Sequence, residues 1–261
     1  MFLDKIVATK QQEVEQLAAT FHSSEIERTI SNLEQCRSFE QALLAGNRHY
    51  PLGLIAEVKK ASPSKGLIRA DFDPVQLAVT YEQAGADCIS VLTDVSYFQG
   101  SNQYLTAVRE AVTLPLLRKD FIIDYRQIYE ARLIGADAVL LIVAILTKEQ
   151  LKEYYHLAKS LGLDVLVEVH NQAELNTVLE LDIFTLIGVN NRDLKSFHTD
   201  IKTTELLIAD IPKTATIISE SGISGRSEMT YLQSIGADGV LIGEHFMRQP
   251  NVLEAVQTLM S

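Results

Sequence analysis

The chain has 261 residues, 47% of them hydrophobic and 22% charged, enough for a sizeable core in one large α/β domain or two small ones. Its formal net charge is −11 with a pI near 5.0, and no run of Lys or Arg forms a patch, which argues against nucleic acid as a partner. Any anionic ligand would need local cations to hold it against a repelling overall field.

No uninterrupted apolar run approaches the ~18 residues of a membrane span. The start, Met1-Phe2-Leu3-Asp4-Lys5-Ile6, has no cationic segment leading into a long apolar one. A cytoplasmic protein without membrane contact is expected. Cys88 sits in the apolar run Cys88-Ile89-Ser90-Val91-Leu92 and reads as a small core residue. Cys36 lies in unlike surroundings. No Cys/His cluster has metal-ligand spacing, so no metal site is expected.

Residues 1–50 are expected to be an N-terminal helical extension. Over 4–19, Ile6, Val7, Val14, Leu17 and Ala18 follow a helical spacing; further helices are expected over 25–33 and 39–45. None of the three carries a chemical signal. From Leu52 the chain becomes rhythmic. Gly-Ala-Asp recurs at residues 85–87, 135–137 and 236–238, each time after a helical pattern and before a short apolar strand. The copies are roughly 50 and 100 residues apart, matching two and four βα units of about 25 residues. A glycine there ends a helix in the left-handed conformation.

Eight strands are expected at 52–58, 87–92, 115–119, 137–142, 163–169, 185–190, 215–220 and 238–242. Helices are expected over 74–84, 101–112, 124–134, 147–160, 171–180, 200–209 and 224–235, with a closing helix over 244–259. Asp73 before Pro74, Asp124, Thr147 and Ser224 read as helix caps. Strict alternation of strand and helix implies parallel strands, and eight units predict an α/β fold: a (β/α)8 TIM barrel carrying the extension, one domain over 1–261. A doubly wound open sheet is the alternative; its dinucleotide-binding form is disfavoured because no Gly-x-Gly-x-x-Gly follows the first strand.

A barrel of this kind places reacting groups where its strands end, on the C-terminal face. Side chains alternate along a strand, so Ile55, Glu57 and Lys59 share one face, as do Leu117, Lys119 and Phe121, and Leu166, Glu168 and His170. Strand six ends at Asn190 and Arg192, strand seven at Glu220, Ser221 and Gly222. Each residue alone has a bland reading: a solvated rim lysine, or an ion pair capping a strand. Convergence of Glu57, Lys59, Lys119, Glu168, Asn190, Arg192, Glu220 and Ser221 from five strands favours a site. His170 is the weakest candidate, since it can simply cap the helix beginning at Asn171. The glycines of Ser221-Gly222-Ile223 and Gly243-Glu244 suit close approach of a phosphate, and the 61–73 loop, with Gly66 as its flexible residue, could close over a ligand.

These residues resemble the indole-3-glycerol phosphate synthase family of tryptophan biosynthesis. The resemblance spans essentially the whole chain and is carried by Ile55-Ala56-Glu57-Val58-Lys59-Lys60-Ala61-Ser62-Pro63-Ser64-Lys65-Gly66, Leu92-Thr93-Asp94 with Tyr97-Phe98-Gln99-Gly100-Ser101, and Leu117-Arg118-Lys119-Asp120-Phe121. Further along it is carried by Leu166-Val167-Glu168-Val169-His170, Ile187-Gly188-Val189-Asn190-Asn191-Arg192-Asp193-Leu194 and Ser219-Glu220-Ser221-Gly222-Ile223. It implies a carboxy-lyase that closes the ring of 1-(2-carboxyphenylamino)-1-deoxyribulose 5-phosphate, then releases carbon dioxide and water. By the same resemblance Lys119 is the general acid, and Lys59 holds the anthranilate carboxylate and assists the dehydration, the division between the two lysines staying open. Glu168 stabilises the cationic intermediate and transfers protons, and Glu57 takes the proton lost on rearomatisation. Asn190 and Arg192 position the substrate with Glu220 orienting them; Phe121 packs the aromatic ring. Ser62 binds the carboxylate. Ser221, Gly222, Gly243 and Glu244 meet the phosphate, although some members carry Ser where this chain has Glu244, whose side chain would repel the anion. No cofactor is implied, a small molecule is the expected partner, and a monomer is expected. The alternatives are a phosphoribosylanthranilate isomerase-like barrel, a class I aldolase using Lys119 as Schiff-base nucleophile, and a non-catalytic phosphate-ligand-binding barrel.

Overall fold

The computed structural model describes residues 2–261; Met1, the first residue of the expected extension, lies outside them. Eight strands, β1 (Gly53–Val58), β2 (Cys88–Leu92), β3 (Leu116–Lys119), β4 (Ala138–Ile142), β5 (Asp164–Val169), β6 (Leu186–Asn190), β7 (Thr216–Glu220) and β8 (Gly239–Ile242), pair in parallel with their chain neighbours. β8 pairs with β1, which closes the barrel.

The Gly-Ala-Asp triplets explain how each strand is started. Gly85, Gly135 and Gly236 all have positive φ, between 86° and 96°, where a side chain would be strained. The aspartate that follows turns back to the preceding strand: Asp87 accepts from the Leu54 N–H at 2.7 Å, Asp137 from Leu116 at 2.9 Å, and Asp238 from Ile217 at 3.0 Å. One motif thus ends a helix, begins a strand and sets the register at the N-terminal end of the barrel.

The alternation expected along β1 holds. Leu54, Ala56 and Val58 point outward into the layer between strands and helices, while Ile55 joins Leu117, Leu140, Leu166, Ile218 and Leu241 inside the barrel. α4 (Pro74–Gln83), α7 (Tyr125–Leu133) and α8 (Lys148–Ser160) begin at Asp73, Asp124 and Thr147, each accepting backbone N–H groups, as expected. Ser224 does not cap: α11 (Arg226–Ile235) starts one residue later, at Gly225, without a side-chain cap.

The extension wraps both ends of the barrel. α1 (Phe2–Thr20) reaches the C-terminal mouth, burying Leu3, Ile6 and Lys10; α2 (Ser23–Ile30) follows, and α3 (Phe39–Ala42) plugs the opposite end with Phe39 and Leu43. Three details depart from expectation. Val95–Phe98 forms a separate short helix, α5, ahead of α6 (Asn102–Ala111). The closing helix is two, α12 (Glu244–Met247) and α13 (Val252–Met260), because Pro250 cannot continue the first and Asn251 caps the second. Within the 61–73 loop, Ala61–Ser62 and Gly66–Leu67 pair as a small antiparallel hairpin.

Candidate active site

A cavity of about 440 Å³ opens at the C-terminal mouth. Its wall includes Glu57, Lys59, Ser62, Lys119, Phe121, Glu168, Asn190, Arg192, Glu220, Ser221, Gly222, Gly243 and Glu244, whereas His170, the weakest candidate, lies behind Glu168 and off the wall. The strand-end residues meet there because period-two alternation fixes which side chains can enter the barrel.

At the centre is Lys119. Its Nζ lies 3.2 Å from Glu220 Oε2, 3.6 Å from Glu168 Oε2 and 3.9 Å from Glu57 Oε2, while Lys59 Nζ lies 2.5 Å from Glu57 Oε1. Burial alone would push the Lys119 ammonium down, but Glu220, Glu168 and Glu57 more than offset it and hold it well above its ordinary range. The carboxylates are not equivalent. Burial works against the charge of Glu57 and Glu168, yet Lys59 and Lys119 keep Glu57 below its ordinary value, and Lys119 with His170 keeps Glu168 low. Glu220 is pushed up to about 7 by burial, with Glu168 and Glu57 adding to the effect against Lys119. Two buried oxygens at this site, Ser62 Oγ and Glu220 Oε1, have no hydrogen-bond partner; each is a polar atom that a ligand could satisfy.

Two glycines make the cluster fit. A Cβ on Gly188 would collide with Glu220 Oε1, and one on Gly243 with Glu57 Oε1. Gly243, expected only as a phosphate contact, thus also makes room for an acid of the cluster.

The other end of the cavity gathers cations. Arg192 Nη2 lies 3.3 Å from Glu244 Oε2, Arg248 Nε 3.2 Å from Glu244 Oε1, and Lys65 Nζ 4.0 Å from the same oxygen. The Glu244 carboxylate is therefore engaged by three cations. Asn190 Oδ1 accepts from the Arg192 backbone at 3.0 Å and from Ser221 Oγ at 2.9 Å. Ser221 and Gly222 both have positive φ, 68° and 78°; for a serine this is a strained state of the kind found where a turn is shaped for a ligand.

The N-terminal helices, read as chemically silent, contribute directly. Phe2, Leu3 and Ile6 line the cavity. Lys10, fully buried, lies 2.7 Å from Asp120 Oδ1 and 3.0 Å from Asp94 Oδ2. It ties α1 to the ends of β3 and β2. A lysine on the apolar stripe of α1 was the one available signal. His170 is not a helix cap: Asn171 performs that role for α9 (Gln172–Leu181), and the imidazole instead pairs with Glu168 and Glu174. Among the described residues, no group of three or more His, Cys, Asp or Glu side chains could hold a metal ion, and no helix is long and apolar enough to cross a membrane.

A closed parallel barrel with an acid–base cluster buried at its C-terminal mouth defines a (β/α)8-barrel enzyme. Solved structures agree on the fold: a mutant tryptophan synthase α-subunit from Pyrococcus furiosus superposes with a TM-score of 0.60 at 15% identity, over 81% of this chain and 99% of that one. KGPDC from Streptococcus mutans does so with a TM-score of 0.60 at 12% identity, over 81% and 96%. The family model described as indole-3-glycerol phosphate synthase matches residues 3–259. Curated proteins of that description from Geobacillus kaustophilus and Bacillus pumilus are 50% and 48% identical, each over 98% of this chain and over 96% and 98% of their own. The chain belongs to the indole-3-glycerol phosphate synthase family.

Proposed function

We propose that this mouth converts 1-(2-carboxyphenylamino)-1-deoxyribulose 5-phosphate to indole-3-glycerol phosphate, with loss of carbon dioxide and water, in tryptophan biosynthesis. The observation that carries the site assignment is the buried ammonium of Lys119, held among Glu220, Glu168 and Glu57 beside a second lysine. An ammonium so held is an acid in place before the substrate arrives, the preorganisation that stabilises charge developing on an oxygen.

Lys119 donates its proton to the ribulose carbonyl oxygen as the ring carbon attacks. Lys59 faces the carboxylate that leaves as carbon dioxide, with the unpartnered Ser62 hydroxyl beside the same mouth, and assists departure of water. Glu168 stays ionised, stabilises the iminium-like cation and moves protons; Glu57 takes the proton released as the indole becomes aromatic. Phe121, its ring 6.0 Å from that of Phe98, packs the anthranilate ring. Arg192 and Asn190 position the sugar chain, with Glu220 orienting them. The phosphate takes the Ser221–Gly222 turn and the Gly243 side of the mouth, sharing with Glu244 the cations that Glu244 now engages.

The Schiff-base alternative is disfavoured on physical grounds: a nucleophilic lysine needs a depressed pKa, and three carboxylates act the other way on Lys119. At the end of β1 an isomerase of the phosphoribosylanthranilate type relies on a cysteine, where this chain carries Glu57 and Lys59. The whole chain works as one barrel domain, its extension included, and as a monomer in the cytoplasm on this small molecule alone. A net charge of −11, unsuited to nucleic acid, supports a small molecule as the partner. Adding the carboxyphenylamino-deoxyribulose phosphate should give indole fluorescence, and borohydride should trap no adduct. No fluorescence, or a trapped Lys119 adduct, overturns the reading.

A further inference from the structure

His170 has no part in the roles above, yet it is buried between two carboxylates. Its Nδ1 lies 3.0 Å from Glu174 Oε2. Its Nε2 lies 3.1 Å from Glu168 Oε1, an ion-pair contact off the line of a hydrogen bond. Glu174 is anchored at the start of α9, accepting from the His170 backbone N–H at 2.8 Å and from Asn171 Nδ2 at 2.7 Å. The two oxygens of Glu168 thereby differ: Oε1 faces the imidazole, while Oε2 faces Lys119 at 3.6 Å. The polar groups around this pair are Glu168 on its own strand, Glu174 from α9, Lys119 from β3, and Asn190 from β6, whose side chain helps to keep Glu168 low. A neutral imidazole has one N–H and one lone pair. Set between two carboxylates it would turn that lone pair toward one of them, whereas a doubly protonated ring suits both.

We propose that His170, kept doubly protonated by Glu174, is a positioning residue that fixes the rotamer and charge of Glu168 so that Oε2 is presented to Lys119 and the substrate. This rests on the assignment of Glu168 to proton transfer. The electrostatic balance agrees: burial opposes the imidazolium, but Glu168 and Glu174 raise its pKa to about 10. Glu174, outside the pocket wall, becomes the far end of a Glu168–His170–Glu174 chain.

Full-length His170→Gln and Glu174→Gln test it by pH–rate profiles, with ring 15N shifts of His170 in the unaltered chain. General acid–base groups typically contribute 10²–10⁴-fold, so partial loss of Glu168 function is expected to lower kcat roughly tenfold in His170→Gln, with KM changed less than about threefold. The acidic limb of its kcat profile should move to higher pH, because Glu168 loses a neighbouring cation. In Glu174→Gln the basic limb should begin at lower pH, since the imidazolium loses its outer partner, and the ring shifts should report both nitrogens protonated at neutral pH. Unchanged kcat and limbs in both variants would reduce His170 to a structural role, as would a singly protonated ring. A wild-type chain without turnover would instead remove the parent reading. Should His170→Gln fail to fold, Glu174→Gln and the ring shifts decide.

Discussion

Glu220 and Glu168 show how two carboxyls at the ends of alternate strands, β7 and β5, are given opposite tendencies. Glu168 has His170 and Asn190 as partners besides Lys119 and stays ionised. Glu220 shares Lys119, has one unpartnered oxygen, and fills the space left by Gly188. Its pKa, raised from 4.5 to about 7, makes a stability prediction. The native state binds the proton more tightly than the unfolded chain, so this contribution is fully present below the unfolded value and is lost as pH rises through about 7. The Tm of Glu220→Gln minus that of the wild type should therefore grow between about pH 4.5 and pH 8. A difference that is flat or shrinks would contradict the assignment. The candidate acids and bases were legible because alternation and strand ends select them. Gly188 was not, since its role is to carry no side chain where Glu220 on the next strand needs room, and nothing local marks that.

At the scale of elements, α1 is held by a buried ammonium as well as by Leu3 and Ile6. Lys10 contacts Glu13, Asp94 and Asp120, and Asp120 also accepts from Thr93 and from the Phe121 N–H at 2.8 Å. Docking of the extension is thereby joined to the strand end that carries Lys119 and Phe121. Lys10→Met should cost roughly 3–5 kcal/mol in denaturant unfolding, because two buried carboxylates lose their common partner; a loss under about 1 kcal/mol would show that the apolar contacts alone dock α1. Periodicity located the helices of the extension, but not where α1 lies. That depends on Lys10 meeting aspartates from two distant strand ends, a pairing that local spacing does not encode. The break between α12 and α13 was legible in Pro250 and Asn251 and was missed because the apolar pattern continues across it.

For the whole molecule, the repeat that announced the barrel also builds it. Asp137, completely buried, accepts from the Leu116 N–H, from the Arg37 N–H at 2.7 Å and from Arg109 at 2.6 Å. It binds a strand, a helix and the extension at the end of the barrel opposite the active site. Asp137→Ala should lower stability by about 3 kcal/mol or more while leaving KM nearly unchanged at temperatures where the protein is folded; unaltered unfolding would refute that role. The barrel was legible because its repeat is local, with helix end, turn and strand start in consecutive residues. The reach of α1 to the mouth was not, because it depends on contacts made only after the barrel closes.

The central claim is that Lys119, held protonated by three carboxylates, supplies the proton for ring closure. Its most direct test is single-turnover indole fluorescence of the wild type and Lys119→Ala with the carboxyphenylamino-deoxyribulose phosphate, alongside a separate measurement of substrate binding. The account predicts product from the wild type and at least a ~10³-fold slower rate from Lys119→Ala, with binding within about tenfold. Comparable single-turnover rates in the two proteins would contradict it.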